Sequence, residues 1–511
     1  MSARAQSKRR RRGRSDERRA VAASDTGEWR FTRRVPTYDY IDEQALDDIH
    51  ETSMRLVEDV GVDFRDGPAL ETWKAAGADV QGERVRIPRE LLMDLVSHAP
   101  ETFIHHARNP ERNVTIGGNG MAYAPIYGSP YIRDLDGERR YARLEDFHNL
   151  VKLAYLSPAL NVSGGTVCEP TDVPVAKRHL DMIRAHITLS DKPFMGSVTA
   201  PERAEDSIAM CRILFGDDFV DAHTVLVSLI NCNSPLVWDS SMLSVVRVYA
   251  SANQACLISP FIMQGANTPI TTAGAMAQLN AEALAGIAYV QLVRAGAPVI
   301  YGATLSTVSM QSGSPMYGTT ETQVLMYLTA QLARRYKLPM RTGGMRNGSK
   351  LADAQAAFES VQTMLPAVMA GGHFFLHSAG WLESGLSACY AKFVMDVDQL
   401  TVMQRLMSPP QIDTDALALD AVREIGPGGH FLGCEHTLRY YQTAFFTPST
   451  ADVGTYEQWS EEGSRDVYAR SIDVARSMLD AYEPPALDPA ISEALDAFIS
   501  KRKEVLPDSV T

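Results

Sequence analysis

The segment HFFLHSAGWLESG, residues 373–385, places polar and aromatic side chains directly after an apolar run. The run HFFL is apolar enough to be a buried strand, and the glycines that follow indicate a loop. His373 stands at the start of the predicted strand and His377 near its end. We predict that His373 is structural and that His377 is an active-site residue, against the alternative of a hydrogen-bonded core histidine.

Aromatic side chains occupy the predicted ends of several strands. Tyr127, Tyr131 and Trp381 are the main ones, with Phe261 and Tyr301 as less secure additions. Aromatic residues at strand ends most often serve packing. Several of them around one opening, with few carboxylates, also form the cage that a quaternary ammonium cation requires.

The segment GGMRNGSK, residues 343–350, contributes a cation to the same predicted opening. Arg346 is predicted to hold a carboxylate group on the ligand, because a guanidinium binds carboxylates in a bidentate manner. We place Asn347 beside it as a further substrate-binding residue.

An alternation of short apolar runs and amphipathic segments begins at residue 121 and positions these side chains. Each apolar run predicts a strand and is followed by a predicted helix. The eight predicted strands are residues 121–127, 160–167, 193–199, 224–231, 256–264, 298–305, 339–344 and 373–380. This pattern favours an α/β fold of the TIM (β/α)8 barrel type, whose active site lies at the carboxyl ends of the strands. An open doubly wound sheet is the alternative, but it usually has fewer strands and a glycine-rich phosphate loop.

Four regions follow from these patterns. We predict a disordered basic tail over residues 1–34, an N-terminal helical cap region over 35–120, the barrel catalytic domain over 121–408 and a C-terminal helical appendage over 409–511. The appendage is expected either to cover the barrel mouth or to build an oligomer interface.

Composition and charge exclude several classes of protein. The chain has 511 residues with a net charge of -13, although its first twenty residues are strongly basic. We interpret that basic run as a solvated tail and not as a nucleic-acid or membrane site. No window is apolar enough for a transmembrane helix. The six cysteines contain no CxxC pair, which is typical of a reduced, cytoplasmic protein.

Two weaker motifs have simpler structural interpretations. The segment REIGPGGHF contains a GxG that superficially suggests an adenosylmethionine loop, but it does not follow a predicted strand. Cys168, Glu169 and Cys232 lie at predicted strand ends and would be candidate zinc ligands. Buried thiols are the commoner explanation, so we predict no metal site.

Several longer runs together resemble the trimethylamine methyltransferase family, in the branch that lacks pyrrolysine. They are YGSPYIRDLDGERRYARLEDFHNLVKLA, INCNSPL, GGMRNGSKLADAQAAFES, HSAGWLESGLSACYAKFVMD and GPGGHFLGCEHTLRYYQTAFFTP, and the similarity spans roughly residues 35–480. The resemblance implies a TIM-barrel enzyme that moves a methyl group from an amine to the cobalt of a separate corrinoid protein. Relatives without pyrrolysine are similar to glycine betaine methyltransferase and act on quaternary amines.

The resemblance also assigns roles to the residues of the opening segment. It implies that His377 is a polar contact to substrate or corrinoid, that Trp381 is a cage wall, and that Glu383 fixes the loop or balances charge. The corrinoid is expected on a partner protein, because DFHNLV at 146–151 lacks the glycine of a DxHxxG cobalamin motif. No cofactor bound by this chain is predicted.

Two other functions stay open on the sequence alone. One is a corrinoid-dependent demethylase of another methylated amine or sulfur compound, and the other is a non-catalytic betaine-binding barrel. We also expect a homo-oligomer that binds neither nucleic acid nor membrane.

Overall fold

The computed structural model describes residues 31–508, so the predicted basic tail lies outside the described part of the chain except for residues 31–34. The helices, in chain order, are α1 (Glu43–Arg55), α2 (Gly67–Ala75), α3 (Arg89–Ser97), α4 (Leu144–Leu156), α5 (Arg178–Leu189), α6 (Pro201–Phe215), α7 (Asp217–Ala222), α8 (Ser240–Ser251), α9 (Thr272–Val293), α10 (Thr320–Arg335), α11 (Ala354–Ala370), α12 (Tyr390–Leu406), α13 (Leu419–Ile425), α14 (Glu435–Tyr440), α15 (Tyr456–Glu461), α16 (Val467–Asp480) and α17 (Pro489–Val505).

The strands, in chain order, are β1 (Val62–Arg65), β2 (Asp79–Gln81), β3 (Arg84–Arg86), β4 (Thr102–His105), β5 (Val114–Gly117), β6 (Ala122–Tyr123), β7 (Tyr131–Arg133), β8 (Arg139–Tyr141), β9 (Phe194–Met195), β10 (Leu226–Ile230), β11 (Val237–Asp239), β12 (Ala255–Ile258), β13 (Phe261–Gln264), β14 (Val299–Gly302), β15 (Thr304–Val308), β16 (Pro315–Met316), β17 (Met340–Arg341), β18 (Phe374–Phe375), β19 (Trp381–Leu382) and β20 (Ser387–Cys389).

A parallel sheet with the order β6-β18-β17-β14-β12-β10-β9 forms the centre of the molecule. The predicted second strand, residues 160–167, is not a regular strand but lies between the two edges of this sheet. Val162 donates its N–H to Tyr123 O at 3.1 Å, and Met195 donates its N–H to Gly164 O at 2.8 Å. The segment therefore closes the ring, and the predicted TIM barrel is confirmed.

The barrel strands are buried on both of their faces. Their inner face forms a cluster of buried apolar side chains that includes Ala124, Val162, Leu257 and Leu376. Their outer face joins a larger core shared with the surrounding helices. Strands buried on both faces are near-continuous apolar runs, which is why the sequence predicted them.

Helix α11, beside the mouth of the barrel, has capping residues at both ends. Asp353 accepts a hydrogen bond from Ala356 N at 3.1 Å, which satisfies an otherwise unpaired N–H of the first turn. Gly371 follows the helix in the left-handed conformation, with φ 104°. These caps fix the helix between β17 and β18.

The N-terminal region contains more than the predicted helices. β1, β3 and β2 form an antiparallel sheet that also pairs with β11, and β4 pairs with β5. Because β11 follows β10 of the barrel, its parallel pairing with β1 attaches this region directly to the barrel wall.

Two further small sheets stand at the carboxyl ends of the barrel strands. One has the order β13-β15-β16, and the other has the order β19-β20-β7-β8. They are built from the segments that follow β12, β14, β18 and β6, so they surround the mouth. β13 and the start of β15 lie within the predicted strands 256–264 and 298–305, whereas the other strands of these two sheets were not predicted.

The last two helices pack on the outside of the barrel and not over its mouth. Helix α16 lies against α12 and α4, and α17 lies against α5 and α6. Arg502 of α17 donates from Nε to Asp206 at 2.7 Å, and Asp206 also contacts His179 Nε2 at 2.8 Å. Among the described residues, no helix is long and apolar enough to cross a bilayer.

Lys192 shows how the fold accommodates a buried charge with backbone groups. Its ammonium group is fully buried and donates to Ala154 O, Ser157 O and Leu160 O at 2.7, 3.0 and 2.7 Å. Burial lowers its pKa well below the ordinary value. The three carbonyls lie at and after the end of α4, where the helix dipole favours a cation.

We predict that Lys192→Met lowers the free energy of unfolding by about 3 kcal/mol, because three buried carbonyls lose their donor. Urea unfolding followed by circular dichroism measures the change. Lys74→Met, at an exposed position of α2, is the control and should change stability by less than about 0.5 kcal/mol. Equal stability of the two variants would contradict a stabilising role for Lys192.

Candidate functional site

Polar side chains collect at the carboxyl ends of β17 and β18, directly above the apolar interior of the barrel. Arg341 is the last residue of β17 and pairs in register with Phe374 of β18. Phe374 belongs to the interior cluster, so Arg341 projects into the barrel on the same face. A fully buried arginine at this position is the base of the candidate site.

Arg341 is only partly satisfied by the protein. Its Nη1 donates to Thr304 Oγ1 at 2.6 Å, to Ala303 O at 2.8 Å and to Ser259 Oγ at 3.1 Å. Its Nε and Nη2 are buried and have no hydrogen-bond partner. The remaining donors of this guanidinium are therefore available to a ligand.

Arg346 is the second buried cation and follows β17 in the chain. All three of its guanidinium nitrogens are buried without a hydrogen-bond partner, and the guanidinium carbon lies 5.5 Å from the centre of the Tyr317 ring. No carboxylate of the described residues lies within ion-pair distance of Arg341 or Arg346. Two buried cations without a counter-ion form a site prepared for an anion.

Burial also changes the acidity of these two groups. It lowers the pKa of Arg341 to about 9, with a smaller contribution from the neighbouring charge of Arg346. It lowers the pKa of Arg346 to about 10, and the nearby Tyr317 opposes that shift. A bound anion would favour the charged form of both guanidiniums, and it would offset the cost of their burial and their mutual repulsion.

His377 lies beside the two arginines in a strained backbone conformation. Its φ is 64°, in the left-handed region that non-glycine residues rarely adopt. Burial, and then the charges of Arg341 and Arg346, lower its pKa well below the ordinary value. The imidazole is therefore neutral near pH 7, and its buried Nδ1 has no hydrogen-bond partner.

Trp381 and Tyr317 form an aromatic wall next to His377. The Trp381 ring centre lies 4.5 Å from that of His377 and 5.8 Å from that of Tyr317, in both cases edge to face. Trp381 Nε1 donates to Asn347 O at 2.9 Å, and Asn347 Nδ2 donates to Trp381 O at 2.7 Å. The predicted residues Arg346, Asn347, His377 and Trp381 thus lie together.

Two other predicted residues lie outside this cluster. Glu383 accepts from Arg139 Nε at 3.0 and 2.9 Å, so its charge is balanced within the protein. Tyr131 lies beneath the same arginine, whose guanidinium carbon is 3.7 Å from the ring centre, and it stacks on Tyr141. The catalytic role of Glu383 and the substrate-binding role of Tyr131 stay predictions. In the structure both side chains contact Arg139, and these contacts hold the loop in place.

Tyr127 lies on another part of the barrel opening. Its ring packs against the interior cluster and against Gly165, where a Cβ would come within 2.6 Å of the ring. Burial raises the pKa of its phenol to about 12, so the group is uncharged. Its proposed contact with substrate stays a prediction.

A buried ion pair supports the aromatic wall from behind. Lys392 of α12 pairs with Asp396 one turn later and donates to Ser360 Oγ at 2.9 Å. Asp396 accepts the N–H of Gly380 at 2.9 Å, one residue before Trp381. Burial raises the pKa of Asp396 to about 6, and Lys392 opposes that shift.

The candidate zinc ligands do not converge. Cys232 Sγ lies 3.1 Å from Glu282 Oε2, whereas Glu169 pairs with Arg178 at 2.7 Å. Burial raises the pKa values of Cys168 and Cys232 well above the ordinary value, so both are thiols. Across residues 31–508, no group of three or more potential ligands is placed to hold a metal ion.

A separate surface cavity of about 430 Å³ lies among α4, α5 and α17. Its charged side chains already pair with each other, Arg184 with Asp496 and Lys503 with Asp181. No unpaired charge comparable to the two buried arginines is found there.

Sequence reasoning missed Arg341, Tyr317 and the Lys392–Asp396 pair. Arg341 carried a usable signal, because an arginine inside the predicted strand PMRTGG would be buried on either face of the strand and would need a partner or a ligand. Tyr317 gave no such signal, since it lies in a segment without periodicity. Lys392 and Asp396 have the spacing of an ordinary exposed helix pair.

We predict that Lys392→Met lowers the free energy of unfolding by about 3–5 kcal/mol, because it leaves the Asp396 charge buried and unpaired. Urea unfolding of Lys392→Met and of the double variant Lys392→Met/Asp396→Leu checks this, and the double variant should recover most of the loss. The exposed pair Arg55–Asp59 is the matched control, with side chains 75% and 66% exposed. Arg55→Met should change stability by less than about 0.5 kcal/mol. Equal losses in the two single variants would contradict the buried pair's role.

Comparisons with known proteins agree with the resemblance. The family model described as "Trimethylamine methyltransferase (MTTB)" matches residues 9–507. The chain is 42% identical over 473 residues to the glycine betaine methyltransferase of Desulfitobacterium hafniense (strain Y51), covering 92% of this chain and 98% of the relative. It is 28% identical over 426 residues to the proline betaine:corrinoid methyltransferase of Eubacterium limosum, covering 80% and 86% of the two chains.

A solved structure was also matched, the monomethylamine methyltransferase MtmB of Methanosarcina barkeri. The TM-score is 0.46 at 12% identity, with 89% of this chain and 97% of that chain covered. The family match spans nearly the whole sequence, and it confirms the family predicted from the sequence. This chain belongs to the trimethylamine methyltransferase family.

Proposed function

We propose that this chain transfers a methyl group from glycine betaine, or a related betaine, to the Co(I) of a separate corrinoid protein. The observation that carries the proposal is the pair of buried guanidiniums, Arg341 and Arg346, which have no carboxylate partner among the described residues. A betaine supplies that carboxylate and a quaternary ammonium on the same small molecule.

The surroundings of the arginines suit the cationic end of such a ligand. Trp381 and Tyr317 supply aromatic rings, and the face of such a ring attracts a quaternary ammonium without fixing its charge to one point. His377 is neutral because its pKa is lowered, so it does not repel the cation. A carboxylate beside the nitrogen would instead favour the ground state, where the positive charge is largest.

The chemistry needs little from the protein beyond positioning. A quaternary nitrogen already carries the positive charge, so the tertiary amine leaves neutral and no proton is transferred. The Co(I) of the partner's corrinoid supplies the nucleophile. The chain's own residues hold the ligand by its carboxylate, direct the methyl groups toward the mouth and exclude water.

The rim of the mouth supports docking of a partner. Exposed apolar side chains lie on the segments after β12 and β14 and at the start of α11, among them Ile270, Met310 and Phe358, each about two-thirds exposed. Such a rim suits a protein that approaches, delivers its corrinoid to the opening and leaves.

The proposal is tested by mixing the purified protein with its corrinoid partner and following methyl transfer by visible absorbance. Glycine betaine, proline betaine and carnitine carry both groups, choline lacks the carboxylate, and dimethylglycine lacks the quaternary nitrogen. Turnover is expected with a betaine and not with choline, dimethylglycine or trimethylamine. Turnover with trimethylamine alone would reject the proposal, and binding without any turnover would favour a non-catalytic barrel.

We predict that Arg341→Met and Arg346→Met each raise KM for the betaine about 10- to 100-fold, because a charge-assisted hydrogen bond contributes about 1.5–3 kcal/mol. Initial rates over a range of betaine concentrations measure this effect. Arg55→Met is the matched control, because this arginine is 75% exposed and lies on α1, outside the barrel. An unchanged KM in both site variants would exclude the carboxylate contact.

We predict that the pH profile of kcat/KM has no inflection near pH 6.5 that is due to His377. The pKa of His377 lies well below its ordinary value, so the imidazole is already neutral at that pH. His377→Asn should lower kcat/KM about tenfold by loss of a ring contact, while leaving the shape of the pH profile unchanged. A profile that loses an inflection near pH 6.5 in the variant would show that His377 titrates during turnover.

A further inference from the structure

The aromatic wall of the candidate site is held from behind by helix α12. Asp396 of this helix accepts the N–H of Gly380, the residue that precedes Trp381, at 2.9 Å. Gly380 also packs closely on the helix, because a Cβ at this position would lie 3.2 Å from the ring of Phe393. The helix therefore fixes the backbone next to Trp381 through one side-chain acceptor and one close contact.

The loop that carries Arg346 is held by the neighbouring helix α11. Ser360 of this helix donates from Oγ to Met345 O at 3.0 Å. Thr363, almost one turn later, accepts the N–H of Arg346 at 3.1 Å. Asn347, on the other side of the arginine, donates from Nδ2 to Ser360 Oγ at 3.4 Å. These contacts determine where the Arg346 side chain leaves the backbone.

Lys392 joins the two helices, and with them the two parts of the site. Its ammonium group donates to Ser360 Oγ on α11 at 2.9 Å and forms an ion pair with Asp396 on its own helix. Lys392, Asp396 and Ser360, here called the bridge, are 1%, 3% and 2% exposed. Within the described part of the chain, the hydrogen bonds of these three side chains end inside the bridge or on the two loops of the site.

Stability alone does not account for a charged bridge at this position. A buried ion pair contributes little net stability compared with apolar side chains of the same volume, because both charges lose their water. The pair provides directional hydrogen bonds, which apolar side chains do not, and such bonds fix the atoms that they join. In the bridge, those atoms are backbone groups beside Trp381 and Arg346.

The separation of the two loops matters for a ligand that carries a charge at each end. Under the proposed function, the carboxylate of the betaine binds at the arginines and its quaternary nitrogen lies at the aromatic wall. The distance between Arg346 and Trp381 then determines which length of betaine directs its methyl groups correctly. We propose that Lys392, Asp396 and Ser360 are positioning residues that hold these two elements at the separation required by one length of betaine. This inference rests on the proposed function.

The test uses Lys392→Met/Asp396→Leu. Because neither charge is left without its partner, this double variant should keep most of the wild-type stability in urea unfolding. It lacks the acceptor for the Gly380 N–H and the donor to Ser360. We expect kcat/KM for the preferred betaine to fall about 10- to 100-fold. The ratio of kcat/KM between glycine betaine and carnitine, which differ in length, should move at least about fivefold toward one.

Two further variants separate positioning from stability. Arg55→Met/Asp59→Leu is the matched control, because this pair has the same spacing along the chain but its side chains are 75% and 66% exposed. It should keep the wild-type kcat/KM and selectivity. Ser360→Ala removes no charge and breaks only the connection between α11 and α12. It should change the selectivity in the same direction as the double variant.

The position of the aromatic wall can also be measured without turnover, by fluorine NMR of protein labelled with fluorotryptophan. The chain contains five tryptophans, and Trp381→Phe identifies the resonance of Trp381. This resonance should shift or broaden in Lys392→Met/Asp396→Leu and stay unchanged in the exposed control pair.

Wild-type selectivity in the folded double variant would overturn the proposal, since the bridge would then serve stability alone. An unchanged Trp381 resonance in that variant would overturn it as well. Both of these failures occur in a protein whose wild-type form turns over a betaine. A wild-type protein that transfers no methyl group from any betaine would reject the proposed function itself, so the two kinds of failure are distinguishable.

Discussion

The burial of two guanidiniums at the end of one barrel strand is the constraint on which the site depends. Arg341 and Arg346 are both fully buried, and each lowers the pKa of His377. Such an arrangement is costly unless a ligand supplies the counter-charge. The neutral imidazole and the uncharged aromatic wall follow from the same constraint, because any further cation would add repulsion.

Elsewhere in the described part of the chain, several buried charges are satisfied within the protein. Lys392 has Asp396, and Lys192 has three carbonyl groups. Buried Glu282 accepts from Ser234, Leu236 N–H and Gln278. Lys192 also lacks an acidic partner, but its ammonium donates to carbonyls, whereas all three nitrogens of Arg346 and two of Arg341 have no hydrogen-bond partner. These unsatisfied donors distinguish the candidate site from the structural burial of charge.

The barrel itself could be predicted from the sequence because its strands are buried on both faces and appear as apolar runs. The exception, residues 160–167, contains Gly164 in a left-handed conformation with φ 111°, so it closes the ring by single hydrogen bonds and not as a regular strand. β13 and the start of β15 lie within predicted strands, but the two small sheets at the mouth could not be predicted, since their strands of two to five residues pair across distant segments.

The site was predicted only in part, for a related reason. His377, Trp381, Arg346 and Asn347 could be grouped because they follow two neighbouring strands. Tyr131 also follows a strand, but Arg139 covers its ring and binds Glu383, a contact between residues 244 positions apart. Local sequence does not encode such a contact.

Under the proposed function, the mouth of the barrel must admit both a small ligand and a partner protein. The unpaired donors of Arg341 and Arg346 are buried at the carboxyl end of β17, whereas the exposed apolar side chains Ile270, Met310 and Phe358 lie on the rim. The ligand and the partner would therefore contact different residues of the same opening. A substitution at an arginine should change binding of the ligand, and a substitution on the rim should change docking of the partner, so the two contributions can be separated.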